Sequence, residues 1–264
     1  MHKSATLPLL LKELRLTTML QSWEKIAGEM EEHSHSGIKF LSRLCELEVC
    51  ARYSKRINRF TKASHLPAGK TLATFDFKHT KSINKAQIEG LSECRQWIEQ
   101  VENILIFGPS GVGKSHLAAA IGHCAIEQGI RTYFTKTSVI VQQLQLARKN
   151  FELPQALAKL SKYPLLILDD IGYAKKDESE TSVLFDLIAD RYESGSLIIT
   201  ANQPFSEWDQ IFPDNMMAVA SIDRLVHHAS IIKIDADSYR KAHAKTKQDV
   251  KTQNLVSVKE EVSK

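Results

Sequence analysis

Apolar positions follow two regimes along this chain. Up to about residue 65 they recur only at helical spacing. Leu7, Leu10, Leu11 and Leu14 predict one helix with these leucines facing inward, and Met19, Leu20, Trp23, Ile26, Ala27 and Met30 a second. Phe40, Leu41, Leu44 and Leu47, continued by Tyr53, Ile57 and Phe60, predict a third that starts near Gly37. Beyond residue 100, short apolar runs of strand length alternate with helical patterns. The runs 104–107, 132–135, 165–168, 197–200 and 231–234 read as strands. Helices are expected from Leu117 toward a stop at Gly129, from Ser138 to Lys149, from Pro154, and over Val183, Leu184, Leu187 and Ile188 with Gly195 as the stop. Such alternation predicts an α/β fold with a five-stranded parallel sheet, preceded by a small all-helical domain. The breakers in His65-Leu66-Pro67-Ala68-Gly69-Lys70 suggest a helical domain at 1–66, a linker at 67–76 and an α/β domain at 77–242. The polar, Lys-rich stretch 243–264 reads as a disordered tail.

Composition adds boundaries to this picture. A chain of 264 residues that is 43% hydrophobic can bury one sizeable core beside a smaller one. Its apolar stretches fall far short of the roughly 18 residues of a membrane span, and its start lacks a secretory layout. Cys45, Cys50, Cys94 and Cys124 have no CxxC spacing, so reduced, packed thiols and a cytoplasmic location are expected. His33, His35, His227 and His228 lack a companion ligand cluster and read as surface or packing residues. Charge changes the picture more. Residues 1–70 carry twelve Lys and Arg against seven Asp and Glu, although the whole chain is only +4. On the third helix Arg52, Lys55, Arg56, Arg59 and Lys62 recur at spacings of three and four, and no acid lies between Glu48 and Asp76. A like-charged stripe repels itself unless phosphates neutralise it, which points to a polyanion contacted through its backbone with little sequence preference.

The chemistry is concentrated after the first strand. Gly108-Pro109-Ser110-Gly111-Val112-Gly113-Lys114-Ser115 is the phosphate-loop pattern GxxxxGK[ST], set between a strand and a helix as the motif requires. Glycines let successive amides face a phosphate, and the helix adds its positive end. Lys114 is expected on the β/γ oxygens of ATP and Ser115 on magnesium, with His116 next in the binding segment. The strand at 165–168 ends in Asp169, expected in the magnesium shell, and Asp170, expected to position and polarise the attacking water. Asn202, at the end of the strand 197–200, is expected to contact the γ-phosphate or that water, with an ordinary turn as the alternative. Phe75 or Phe77 is either an adenine neighbour or plain core. A further strand between the loop strand and the Asp-Asp strand favours the additional-strand P-loop ATPases over the nucleotide kinases.

GPSGVGKSHLA at 108–118, LLILDDIGY at 165–173, LIITANQPFSEW at 197–208 and DRLVHHA at 223–229 together resemble the IstB family. These are helper ATPases of bacterial insertion sequences, related to the DnaC helicase loaders, and the resemblance covers about residues 5–240. It implies an AAA+ fold, ATP-driven homo-oligomer assembly on duplex DNA, and stimulation of a partner transposase, with hydrolysis as the switch. Asn202 then stands where the family's sensor 1 stands. Arg224 occupies the position of the arginine finger, supplied to a neighbouring subunit's site, its alternative being a salt bridge, and Arg191 is the reserve candidate. Arg240 is placed as a second phosphate sensor. Two departures stand out: Asp170 where most AAA+ ATPases have Glu, which implies slow turnover, and only roughly two dozen residues after Arg240, which implies no C-terminal lid domain. A DnaC-like helicase loader is the alternative function, and a small-molecule kinase a remote third.

Overall fold

The computed structural model describes residues 6–32, 36–80, 82–172, 177–204, 207–208, 215–236 and 238–239. The chain divides into two compact units, Met1–Phe60 and Thr61–Lys264.

The first unit is built on three helices, α1 (Leu7–Glu13), α2 (Thr17–Glu32) and α3 (Gly37–Ala63), the last ending past the division. Leu11, Met19, Ile26 and Leu44 form its small core, with Leu7, Leu16, Leu20, Trp23, Phe40 and Leu47 packed around them. Leu10 and Leu14, expected inward, are 52% and 65% exposed, and Leu41 and Tyr53 are exposed too. The reason is geometric. α1 has only seven residues, and Arg15 takes a left-handed turn (φ 56°) just after Leu14, so Leu11 is the one buried leucine of the helix and Leu7 packs at the core's edge. On α3, Phe40, Leu44, Leu47 and Glu48 face α1 and α2 at spacings of three and four. Glu48 is 4% exposed, and its Oε2 accepts the amides of Thr18 (2.7 Å) and Met19 (3.1 Å). It therefore caps the first turn of α2 from another helix. Burial opposes charge on this carboxylate, but Arg52 (2.8 Å) and the Met19 and Thr18 amides outweigh it, and its pKa lies below the ordinary glutamate value.

The second unit carries the sheet. Its strands β1 (Asn103–Phe107), β2 (Thr132–Lys136), β3 (Leu165–Asp169), β4 (Ser196–Ala201) and β5 (Ala229–Lys233) are all parallel, in the order β2-β3-β4-β1-β5. Helices α4 (Lys85–Glu93), α5 (Gln96–Glu99), α6 (Lys114–Glu127), α7 (Thr137–Lys149), α8 (Leu153–Leu160), α9 (Glu178–Arg191) and α10 (Asn215–Val226) complete it. Alternate strand residues face two cores. Leu105, Leu166, Leu168, Leu197 and Ile199 meet α7 and α9 through Ile140, Leu144, Val183 and Leu187. Ile104, Ile106, Ile167 and Ile198 meet α6 and α4 through Leu117, Ile121 and Ile88. With a helix layer on each face, the central strands β1, β3 and β4 are buried along their whole length, which is why their apolar runs stand out in the sequence, whereas the edge strands β2 and β5 are partly exposed.

Several expectations need correction. The second unit begins at Thr61, not 77, because the expected linker is docked. Ser64 is buried and its carbonyl accepts the Phe134 amide of edge strand β2 at 2.7 Å. Leu66 packs beside Gly122 of α6, where a Cβ would lie 3.0 Å from it. Gly195 does not stop α9; that helix ends at Arg191 and Glu193 takes the left-handed turn, φ 57°. The cysteines are free, but Cys45, Cys50 and Cys94 are exposed rather than packed. Arg240 and the tail 243–264, and with them the question of a lid, lie outside the described residues. Among those described, no helix is long and apolar enough to cross a membrane.

Candidate nucleotide site

Parallel strands deliver their C-terminal ends to one rim, and inserting β4 between β1 and β3 brings three of those ends together there. β1 is buried throughout and runs into Gly108. A Cβ at Gly108 would lie 2.3 Å from the Ile234 carbonyl oxygen, so the close approach of the chain leaving β5 requires glycine. Gly111 and Gly113 follow at φ 86° and 105°, conformations that turn loop amides inward to form an anion nest. Gly113 is also the N-cap of α6, whose fourteen residues aim their positive end at the same point. Downstream, Gly129 (φ 82°) closes α6 as expected.

Lys114 is buried, and its ammonium donates to the carbonyls of Gly108 and Pro109 at 2.8 Å each and to Asn202 Oδ1 at 2.7 Å. Asn202 Nδ2 in turn donates to Asp170 Oδ1 at 2.9 Å. One side-chain amide thus bridges the loop lysine and Asp170 on the cleft. Asp170 sits at φ 64°, a left-handed conformation that Asp tolerates better than most residues. Its amide is held by Thr200 Oγ1 at 2.8 Å, and that hydroxyl donates to Asp169 Oδ1 at 2.7 Å. Ser110 to His116, Asp170, Thr200 and Asn202 line one cleft of about 300 Å³. Amides, an ammonium, the Ser115 hydroxyl and the Asp170 carboxylate on one cleft, with buried Asp169 held behind them by Thr200, fit a magnesium triphosphate: donors for the phosphates, hard oxygens for the metal.

Other walls of the cleft were less visible in the sequence. Phe75 is both core and wall: it packs in the α4/α6 layer, lines the cleft and stands edge-on to His116 at 5.3 Å, whereas Phe77 does not line it. His116 Nε2 lies 3.0 Å from the Thr71 carbonyl, so the loop histidine ties the preceding segment to α6. Burial pushes its pKa below the ordinary value against the Thr71 hydrogen bond, with nearby Lys70 adding to the depression. His79 and Tyr239 also line the cleft, ring centroids 5.3 Å apart, and the Tyr239 amide donates to the Gly111 carbonyl at 3.1 Å. No motif signals these two residues.

The remaining candidates lie elsewhere. Arg224, on α10, stacks its guanidinium 4.9 Å from the Phe185 ring of α9 and donates to the Ala220 carbonyl. It is half-buried and does not line this cleft. Arg191 is a correction: it is 1% exposed and donates to the carbonyls of Tyr163 (2.7 Å), Pro164 (2.9 Å) and Ser196 (2.9 Å). Burial lowers its pKa to about 10, and it is a structural tie rather than a reserve finger. Arg52, Lys55, Arg56, Arg59 and Lys62 are all exposed on α3. Arg52 is nonetheless engaged by Glu48 and by the Arg15 carbonyl at 3.0 Å, while Arg56 and Arg59 lie over the rings of Tyr53 and Phe60. His227 and His228 lie on the surface with ring centroids 4.1 Å apart and planes tilted by 60°, and the described residues hold no cluster suited to a metal ion.

A phosphate loop after β1, paired carboxylates after β3 and an amide after β4, in this strand order, define an AAA+ P-loop ATP-binding protein. Solved structures carry the same fold. DnaA from Aquifex aeolicus bound to AMPPCP superposes at TM-score 0.55 and 19% identity, over 70% of this chain and 56% of that one. The DnaC helicase loader superposes at TM-score 0.50 and 19% identity, over 67% and 99%. Residues 9–247 match the model of the IstB-like ATP binding proteins, and the chain belongs to that family. An insertion sequence ATP-binding protein of Sinorhizobium fredii is 48% identical over 91% of this chain and 80% of its own length. That of insertion sequence IS21 from Pseudomonas aeruginosa is 32% identical over 97% and 96%.

Proposed function

We propose that this protein hydrolyses ATP as a helper of insertion-sequence transposition: it assembles with ATP on duplex target DNA and stimulates a partner transposase. The observation that carries the catalytic part is the unbroken run of hydrogen bonds Lys114–Asn202–Asp170 beside the phosphate loop. In this reading the loop amides and Lys114 bind the triphosphate, Ser115 and Asp169 hold magnesium, and Asp170, oriented by Asn202, accepts a proton from the attacking water. Bound magnesium supplies neutralisation of phosphate charge. The carboxyl of Asp170 is one methylene shorter than the usual Glu, which suits a slow timed switch.

Arg224 completes the site of a neighbouring copy. Its position outside the cleft of its own chain supports a role in trans, where a guanidinium stabilises charge on the transferred group. Assembly multiplies phosphate contacts, so ATP-driven assembly favours DNA through Lys55, Arg56, Arg59 and Lys62. The test is assembly measured by size together with turnover. Lys114→Ala and Arg224→Ala should both lose ATP-dependent assembly, and intact assembly by the Arg224 variant discards the finger assignment. Recovery of a replicative helicase rather than a transposase as the bound partner would replace transposition by helicase loading.

A further inference from the structure

Between the two carboxylates of the site stands a side chain that no motif assigns. Thr200 is fully buried on β4, the strand flanked by β1 and β3. In the parallel register Leu168 faces Ile199, so the next step sets Thr200 beside Asp169. A hydroxyl has one proton and two lone pairs. The Asp170 amide can only donate, so Thr200 Oγ1 accepts there (2.8 Å) and its single proton goes to Asp169 Oδ1 (2.7 Å). Both bonds are fixed in direction, and the hydroxyl has no proton left for another partner. The Asp170 amide it holds belongs to a residue at φ 64°, where the backbone needs external support to keep the carboxyl on Asn202.

We infer that Thr200 is a positioning residue for both acids: it orients the Asp169 carboxylate toward the magnesium shell and fixes the backbone that aims Asp170 at water. The inference rests on the ATP-hydrolysis reading above and names a further part of that site. Groups that orient metal-shell carboxylates commonly matter by about 10- to 100-fold in metal affinity or activity.

The experiment compares the full chain with Thr200→Val, which keeps the shape and removes both hydrogen bonds, and Thr200→Ser, which keeps both. Affinity for a fluorescent ATP analogue is measured with EDTA and with magnesium, alongside turnover and thermal melting. Valine should lower turnover about tenfold or more and remove most of the gain in affinity that magnesium gives, while metal-free affinity, set by the loop amides and Lys114, stays within about twofold. Serine should restore both turnover and the magnesium effect. Wild-type magnesium dependence and turnover in the valine variant overturn the inference. So does a uniform loss of metal-free affinity and melting temperature that serine does not reverse. Should valine prevent folding, Thr200→Ala gives the same readouts. A wild-type protein that binds the analogue but never turns over ATP overturns the hydrolysis reading instead, and the magnesium-linked affinity still decides the role of Thr200.

Discussion

Arg191 shows how a single residue can mislead when read only from its neighbours. Asp190-Arg191-Tyr192 offers a reserve arginine finger, yet the guanidinium is buried and ties the Tyr163 and Pro164 carbonyls just before β3 to the Ser196 carbonyl at the start of β4. Gly195 makes room for it: a Cβ there would lie 2.4 Å from Nη2. Gly195→Ala should therefore destabilise the second unit, and Arg191→Leu should do so by about 3 kcal/mol or more, since orphaned buried acceptors cost about 1–3 kcal/mol each. Urea unfolding with Trp97 and Trp208 fluorescence reads this, and a change under about 0.5 kcal/mol for Arg191→Leu would show that water replaces the arginine. At the phosphate loop the same logic gives a sharper result. Gly108→Ala places a methyl against backbone rather than a yielding side chain, so nucleotide binding should be lost even where the fold survives. Equilibrium binding of a fluorescent nucleotide checks it.

At the scale of elements, α2 depends on a residue thirty positions away. Glu48 caps it, so Glu48→Ala should cost about 1–2 kcal/mol in the first unit and raise hydrogen exchange at Thr18 and Met19. Unchanged exchange there would mean that the cap contributes nothing. The pH dependence has a definite sign. Because the folded pKa lies below the ordinary 4.5, the contribution of Glu48 is fully present above that value and is lost as the pH falls through the depressed one. These tertiary ties mark where sequence legibility ends. Strands buried on both faces, the GxxxxGK[ST] loop and the acids after β3 are legible because periodicity and spacing are local. α4 and α10 are not: α4 is short, its Ile88 and Leu91 too few to set a period, and its one local signal is the N-cap Asn84. The left-handed turn at Asp170 and the two-way hydrogen bonding of Thr200 depend on which strands become neighbours, and one strand's residues do not encode that.

Across the whole molecule, charge and assembly set the remaining prediction. Replacing Lys55, Arg56 and Arg59 by Gln should flatten the dependence of DNA affinity on salt by about 0.9 in log–log slope for each phosphate that is no longer neutralised. Arg52 is left in place because its bond to Glu48 supports the helical domain. Affinity measured at several salt concentrations decides it, and an unchanged slope moves the proposed DNA surface onto Lys136 and Lys149 of the second unit. The docked stretch before the sheet carries one more consequence. Since the Ser64 carbonyl covers an outward amide of β2, a fragment trimmed to begin at residue 77 would bare the rim of the sheet and the hydrophobic seat of Leu66 together. Such a fragment invites strand addition by its own copies and precipitation, whereas one that starts at Thr61 keeps its rim protected and stays in solution.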